Sequence, residues 1–202
     1  MISNQVGAGY IDPGLPDLDI KYFKNFLSNQ EASHFFTKLI SDVNWQQHSI
    51  KIFGKTIPQP RLTALYAETG TPYTYSGLTL YPLPYSAELK TLQKKIEMIT
   101  TTRFTHCLAN LYRDGRDSMG LHADDEKELG KDPVIASVSL GETRKFRLKH
   151  KFDKNLKLDL ELEPGSLLIM QESTQHFWKH ELPKTTQAKG SRINLTFRKI
   201  LN

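Results

Sequence analysis

The sequence predicts an α+β fold that is mostly β, with helices first and strands later, the strands closing into a barrel or sandwich. Three observations carry this. Two segments in the first half repeat apolar residues at helical spacing, and the second half breaks into short runs with period two or with bounding turn residues. The chain has 202 residues, 38% hydrophobic and 24% charged, which suits one folded domain rather than a disordered chain.

Residues 1–20 contain Gly7, Gly9, Pro13, Gly14 and Pro16, too many breakers for a regular element, and read as an N-terminal arm or loop. Residues 21–202 read as a single domain, with a helical and lid part to about residue 102 and a β core from about residue 103 onward. Ser28 followed by Glu31 forms a capping-box pattern, and Phe35, Phe36, Leu39, Ile40 and Val43 follow at helical spacing. A second stripe, Leu89, Leu92, Ile96 and Ile99, follows Ser86, with Lys90, Lys94 and Lys95 facing away. Both stripes read as core.

After Thr102 the period changes. Leu108, Asn110 and Tyr112 share one face of a strand that ends at Asp114-Gly115, and Val134 to Leu140 is an apolar run between Pro133 and Gly141. Leu156, Leu158, Leu160 and Leu162 alternate with charged residues before Pro164-Gly165, and Ser166 to Met170 reads as a buried strand. In the last strand Arg192, Asn194, Thr196 and Arg198 share one face, and Ile193, Leu195 and Phe197 share the other. Taken alone, such a polar face is solvent-exposed. Two arginines one strand face apart point instead to a carboxylate partner, because a guanidinium fork binds carboxylates bidentately.

The formal charge of +5 favours an anionic partner, nucleic acid foremost. No segment reaches the apolar length needed to cross a bilayer. Met1 to Tyr10 lacks the basic and apolar regions of a secretory signal. Cys107 is the one cysteine, so no intrachain disulfide forms, which suits a cytoplasmic or, in a nucleated cell, a nuclear setting. A monomer is expected.

His122 and Asp124 are two residues apart, so an extended backbone puts both side chains on one face. With His180 they complete a 2-His-1-carboxylate set, which leaves open positions on an octahedral Fe(II) for a co-substrate and oxygen. His176 competes for the same role.

The blocks Pro60-Arg61, Tyr73 to Gly77, Asn110 to Tyr112, His122 to Glu126 and Arg192 to Arg198 resemble, in order and spacing, those of the AlkB family. These are Fe(II)- and 2-oxoglutarate-dependent dioxygenases that dealkylate nucleic acids. The resemblance runs from about Phe53 to Leu201. It implies a double-stranded β-helix, or jelly-roll, with the metal at its mouth. It implies His122, Asp124 and His180 as iron ligands, His180 being preferred to His176 because its His-Glu-Leu-Pro run is similar to the family's distal-histidine block.

The resemblance further implies that Arg192 and Arg198 pair with the carboxylates of 2-oxoglutarate, aided by Asn110, Tyr112, Asn194 and Thr196. Which arginine takes which carboxylate stays open. Tyr73, Thr74 and Tyr75 match the lid segment, with Tyr75 stacking the target base against His122. Asp125 matches a residue that meets the damaged base, whose positive charge a carboxylate favours. Phe53, Gly54 and Lys55 resemble a hairpin that wedges an aromatic ring into a base stack, although a core phenylalanine beside a turn glycine explains the same letters. Arg61 is expected at the nucleic-acid backbone.

The implied activity is repair of N-alkylated bases such as N1-methyladenine and N3-methylcytosine in DNA. It consumes O2 and releases succinate, carbon dioxide and an aldehyde. Two alternatives remain: an oxygenase of the same chemistry acting on RNA or protein, and a non-catalytic nucleic-acid-binding module with a structural metal. Structural zinc sites fill four positions, usually with cysteine, and Cys107 is the sole thiol here.

Overall fold

A computed structural model describes residues 9–52, 54–75 and 78–201. In chain order the elements are β1 (Asp19–Phe23), α1 (Asn29–Asp42), β2 (Ser49–Ile52), β3 (Lys55–Pro58), β4 (Leu62–Ala67), β5 (Tyr73–Tyr75), β6 (Leu78–Leu80) and β7 (Leu83–Pro84). There follow α2 (Ala87–Thr100), β8 (His106–Tyr112), β9 (Met119–His122), β10 (Ile135–Gly141), β11 (Arg144–His150), β12 (Lys157–Leu162), β13 (Leu167–Gln171), α3 (Thr174–Phe177), β14 (Trp178–Leu182) and β15 (Arg192–Arg198).

Seven strands form one sheet in the order β1-β13-β10-β15-β8-β4-β7, and four form a second in the order β12-β11-β14-β9. The two sheets face each other as a double-stranded β-helix. Hairpins β2-β3 and β5-β6 stand apart from both.

Strand alternation divides the large sheet between two cores. Odd positions of β8 and β15, among them Cys107, Ala109, Leu111, Ile193, Leu195 and Phe197, pack with Phe35 and Leu39 of α1 and Leu89, Leu92 and Ile96 of α2. The opposite face meets the small sheet, where Ile20, Leu108, Leu168 and Met170 pack against Leu148, Leu162 and Trp178. Even positions of β8 and β15 point into this second layer, and so the polar residues of β15 are carried inside the molecule.

Both helices begin where their sequence caps place them. Ser28 accepts from the Glu31 amide while the Glu31 carboxylate reaches back to the Ser28 amide, and Ser86 accepts from the Leu89 amide. At the far end of β10, Gly141 has φ +82, and a Cβ there would lie 2.5 Å from the Phe36 ring and from the Ser191 carbonyl. A side chain at this position would collide with the Ser191 backbone as well as the Phe36 ring, so one of them would have to shift.

β1 crosses the boundary expected at residue 20. It begins at Asp19 and pairs with β13 from Asp19↔Gln171 to Phe23↔Leu167. Thr174 both donates to the Asp19 carbonyl and accepts from its amide, and the Trp178 indole donates to the Pro16 carbonyl. Five residues of alternation beside so many breakers give little local signal. Long-range pairing makes this strand. Among the described residues no helix is long and apolar enough to cross a membrane.

Candidate active site

β9 and β14 are neighbours, and their register sets His122 directly opposite His180. β9 ends at His122, so Asp124 stands two residues beyond the strand rather than on it. Its carboxylate nevertheless turns to the same pocket. One ligand atom from each of the three residues lies within 4.8 Å of the others, with His122 Nε2 3.8 Å from Asp124 Oδ1. Such a cluster could hold one metal ion.

Each member of the trio is braced. His122 Nδ1 is 2.8 Å from the Gly120 carbonyl; the ring therefore carries its proton on Nδ1 and leaves the Nε2 lone pair toward Asp124. Phe146 stacks on His180 with ring centres 5.2 Å apart. The Asp124 amide donates to Gln175 Oε1 at 2.9 Å, and Arg198 Nη2 donates to Asp124 Oδ1 at 2.9 Å.

Burial alone would raise the Asp124 carboxyl, but Arg198, His180 and His122 outweigh it and hold the pKa at about 2. Burial pushes His180 down to about 3, helped by His122, and burial lowers His122 against the pull of Asp124. At neutral pH the trio therefore offers two neutral imidazoles and one carboxylate, the protonation states that metal binding needs.

The pocket beside the trio is lined by Asn110, Tyr112, Ser137, Arg192, Asn194, Thr196 and Arg198, with Leu108, Met119 and Met170 among its apolar members. Every residue of β15 is buried, so its polar face lines a cavity instead of meeting solvent. Arg192 donates Nη2 to Ser139 Oγ at 2.9 Å, and its guanidinium lies 5.3 Å from the centre of the Tyr112 ring. Arg192 Nε and Arg198 Nε and Nη1 are buried with no hydrogen-bond partner among the described residues. Buried guanidinium N–H groups require an acceptor, and a small dicarboxylate fits that need. Asn194 Nδ2 donates to Ser137 Oγ and to the Val138 carbonyl, and Asn194 Oδ1 accepts from Thr196. These two residues thus lock the floor of the pocket.

The residues expected at the substrate divide. Arg61 is not at a surface where a phosphate backbone could reach it. It is 3% exposed and donates Nε to Asn110 Oδ1 at 2.8 Å, because β4 pairs with β8 in a register that sets Leu62 against Leu111. Tyr73 is likewise no exposed lid: it is 2% exposed, with the Arg198 guanidinium 5.6 Å from its ring centre. Thr74 is exposed and bonds across its hairpin to Thr79. Asp125 is exposed and faces Lys151 at 3.4 Å. Gly54, with φ +77, and Lys55 sit exposed on the β2-β3 hairpin. Phe53 and the side chain of Tyr75 lie outside the described residues. His176 is exposed and pairs with Asp132 at 2.8 Å, away from the trio.

Several contributors escaped the sequence reading. Ser137 and Ser139 come from an apolar-looking run, and their positions opposite Thr196 and Asn194 follow from the β10-β15 register. Arg144 is buried and donates to the carbonyls of Asp114, Asp117 and Pro183, tying together the loops beneath Tyr112. Burial, then Asp124, raises the Glu126 carboxyl beside Tyr73. Alternation in β10 could have flagged the two serines. Nothing local flags Phe146 or Gln175.

Two histidines and a carboxylate at the mouth of facing sheets, with two buried arginines along the same cavity, have the form of a 2-His-1-carboxylate oxygenase site. Comparison with known proteins agrees. The family model described as 2OG-Fe(II) oxygenase superfamily matches residues 19–198. The mouse alpha-ketoglutarate-dependent dioxygenase alkB homolog 3 is 40% identical over 187 residues, covering 88% of this chain and 65% of the relative. The human DNA oxidative demethylase ALKBH2 is 38% identical over 194 residues, covering 91% and 74%. The solved structure of OsALKBH1 superposes with a TM-score of 0.64 at 16% identity, over 90% of this chain and 97% of that one, a likeness of fold. This chain belongs to the 2OG-Fe(II) oxygenase superfamily and, within it, to the AlkB family. It spans just under two thirds of the length of the mouse relative.

Proposed function

We propose that this protein is an Fe(II)- and 2-oxoglutarate-dependent dioxygenase that removes alkyl groups from damaged bases in DNA, N1-methyladenine and N3-methylcytosine among them. The observation that carries the reading is the trio His122, Asp124 and His180 opening onto a pocket whose two buried arginines have unpaired N–H groups. Relatives named as dioxygenase and DNA oxidative demethylase and the formal charge of +5 support it. RNA is a further substrate in this reading. The protein acts as a monomer in the cytoplasm or, in a nucleated cell, the nucleus.

In this reading His122, Asp124 and His180 hold the iron, and Arg192 and Arg198, with Asn110 and Tyr112, hold 2-oxoglutarate. Bound together, iron, 2-oxoglutarate and oxygen supply the oxidant that hydroxylates the N-linked alkyl carbon, after which the base is released with loss of an aldehyde. The protein's own work is binding and orientation. The low pKa values keep the ligands deprotonated, Phe146 and the Gly120 carbonyl fix the two rings, and the apolar residues lining the pocket exclude water. Asp125, exposed and next in sequence to Asp124, meets the cationic base. No side chain is asked to carry a proton.

The test is anaerobic loading with Fe(II) and 2-oxoglutarate, then admission of air with an oligonucleotide bearing either lesion, following product mass and succinate. Methyl loss that needs every component and falls at least about a thousandfold in Asp124→Ala is the expected result. Succinate without methyl loss would assign the oxygenase another substrate, and neither product would overturn the reading.

A further inference from the structure

We propose that Gln175 is a positioning residue for Asp124, holding its backbone so that the carboxylate faces His122 and His180. The proposal rests on reading that trio as the metal site. It reaches past the trio to a residue that touches neither metal nor substrate.

Asp124 lies beyond the end of β9, in a stretch from residue 123 to 126 with no regular structure, so no strand neighbour satisfies its amide. A buried N–H must find an acceptor. Gln175 supplies one across 51 positions of sequence, its Oε1 accepting from the Asp124 amide at 2.9 Å. The Gln175 side chain is 1% exposed, and its Nε2 donates to Met170 Sδ at 3.7 Å, which aims the amide oxygen at Asp124.

The turn that carries Gln175 is itself fastened. Thr174 closes two hydrogen bonds with Asp19, each 2.9 Å, and Lys151 Nζ donates to the Gln175 carbonyl at 2.9 Å. Arg198 touches Asp124 only at a carboxylate oxygen. It can pull the carboxylate but cannot fix the chain behind it. Backbone fixation falls to Gln175, and outer partners of metal ligands are worth roughly 10–100-fold in metal affinity.

The experiment measures Mn(II) affinity of the full chain by titration calorimetry in the presence of 2-oxoglutarate, with the ligand-field band of the Co(II) form as a second readout. Gln175→Met keeps length and loses the acceptor. It is expected to bind Mn(II) about tenfold or more weakly and to shift the Co(II) band. Thr174→Val removes the tether to Asp19 but keeps the Gln175 acceptor, and is expected to lower Tm while weakening Mn(II) binding much less than Gln175→Met does.

Wild-type Mn(II) affinity in folded Gln175→Met overturns the proposal, as does an equal loss in Thr174→Val, which would make the effect one of general loosening. If Gln175→Met does not fold, Gln175→Asn, whose shorter amide withdraws the acceptor, is expected to show the same loss, and wild-type affinity there overturns the proposal. Asp124→Ala separates the underlying reading: if it binds Mn(II) as wild type does, the metal site lies elsewhere and the proposal falls with it.

Discussion

Arg192 and Arg198 occupy the two ends of one strand face, both buried, yet their electrostatic surroundings are opposite. Arg198 has the Asp124 carboxylate at 2.9 Å. Burial would lower its pKa, but Asp124 foremost, with Tyr73 and Glu126, drives it above the ordinary value. Arg192 bonds to a serine hydroxyl, and no carboxylate among the described residues pairs with it. Burial pulls it down to about 10, despite the opposing influence of Tyr112. One arginine is neutralised by the protein and also braces the trio. The other is a buried cation with no counter-charge among the described residues. Under the proposed function, the Arg192 end is the one expected to receive the carboxylate remote from the metal.

The contrast breaks most sharply in the stability of the metal-free protein. Removing one partner of a buried ion pair leaves the other uncompensated and costs about 3–5 kcal/mol, whereas removing a buried cation that has no counter-charge leaves no orphaned charge behind. Arg198→Met is therefore expected to lose about 3–5 kcal/mol in urea unfolding with a chelator present, and Arg192→Met to lose less, about 1 kcal/mol for its bond to Ser139. Equal losses in the two variants would mean that Arg192 has a counter-charge after all.

Binding should show the reverse order for Arg192. Truncating one side of a desolvated charge pair costs about 2–5 kcal/mol, so Arg192→Met is expected to weaken 2-oxoglutarate about 100-fold, near 2.8 kcal/mol, with Mn(II) affinity unchanged. A weakening of less than about threefold would move the dicarboxylate's remote end elsewhere.

Acid sharpens the same comparison. The Asp124 carboxyl is held at about 2 in the folded protein against an ordinary 3.8. A depressed folded value means stability that is present above about pH 4 and lost as pH falls through 2, worth about 2 kcal/mol here. Glu31, Glu68, Asp114 and Asp159 are held down near 2 in the same way, first by Lys95, Lys90, Arg116 and Arg147, so the wild-type curve mixes all five. The difference between wild type and Arg198→Met cancels those four acids and retains Asp124 with the neighbours on which Arg198 also acts, His122, His180 and Glu126. It is expected to shrink between pH 4 and 2, and a pH-independent difference would refute the ion pair as its source.

What could be read in the letters divides along the same physical line. Ser28 with Glu31, the stripe from Leu89 to Ile96 and the alternation of Arg192 to Arg198 are local patterns, and capping, periodicity and pleat place them without knowledge of the rest. The trio was legible because a 2-His-1-carboxylate set has few other uses. Arg61 was expected at the nucleic-acid backbone, and its burial against Asn110 was not legible, because an arginine after proline says nothing about which strand it will face. Only the pairing of β4 with β8 turns it onto Asn110. Gln175 and β1 were silent for the same reason, their roles being fixed by partners 51 and about 150 positions away.

The smallest expected effect lies at Asp125, the exposed neighbour of buried Asp124 one residue earlier. Its side chain is 58% exposed with Lys151 at 3.4 Å, a pair worth about 0–1 kcal/mol. Asp125→Asn is therefore expected to shift stability by no more than about 0.5 kcal/mol and to leave Mn(II) affinity alone. If its carboxylate meets a cationic methylated base, losing one charge interaction of about 1 kcal/mol at an exposed position raises KM for that oligonucleotide about fivefold, with kcat held. An unchanged KM would return Asp125 to Lys151 alone and leave recognition of the lesion's charge to another residue. A fall in kcat with KM fixed would instead show that Asp125 acts through its neighbour Asp124. The two carboxylates, adjacent in sequence, would then have a single role.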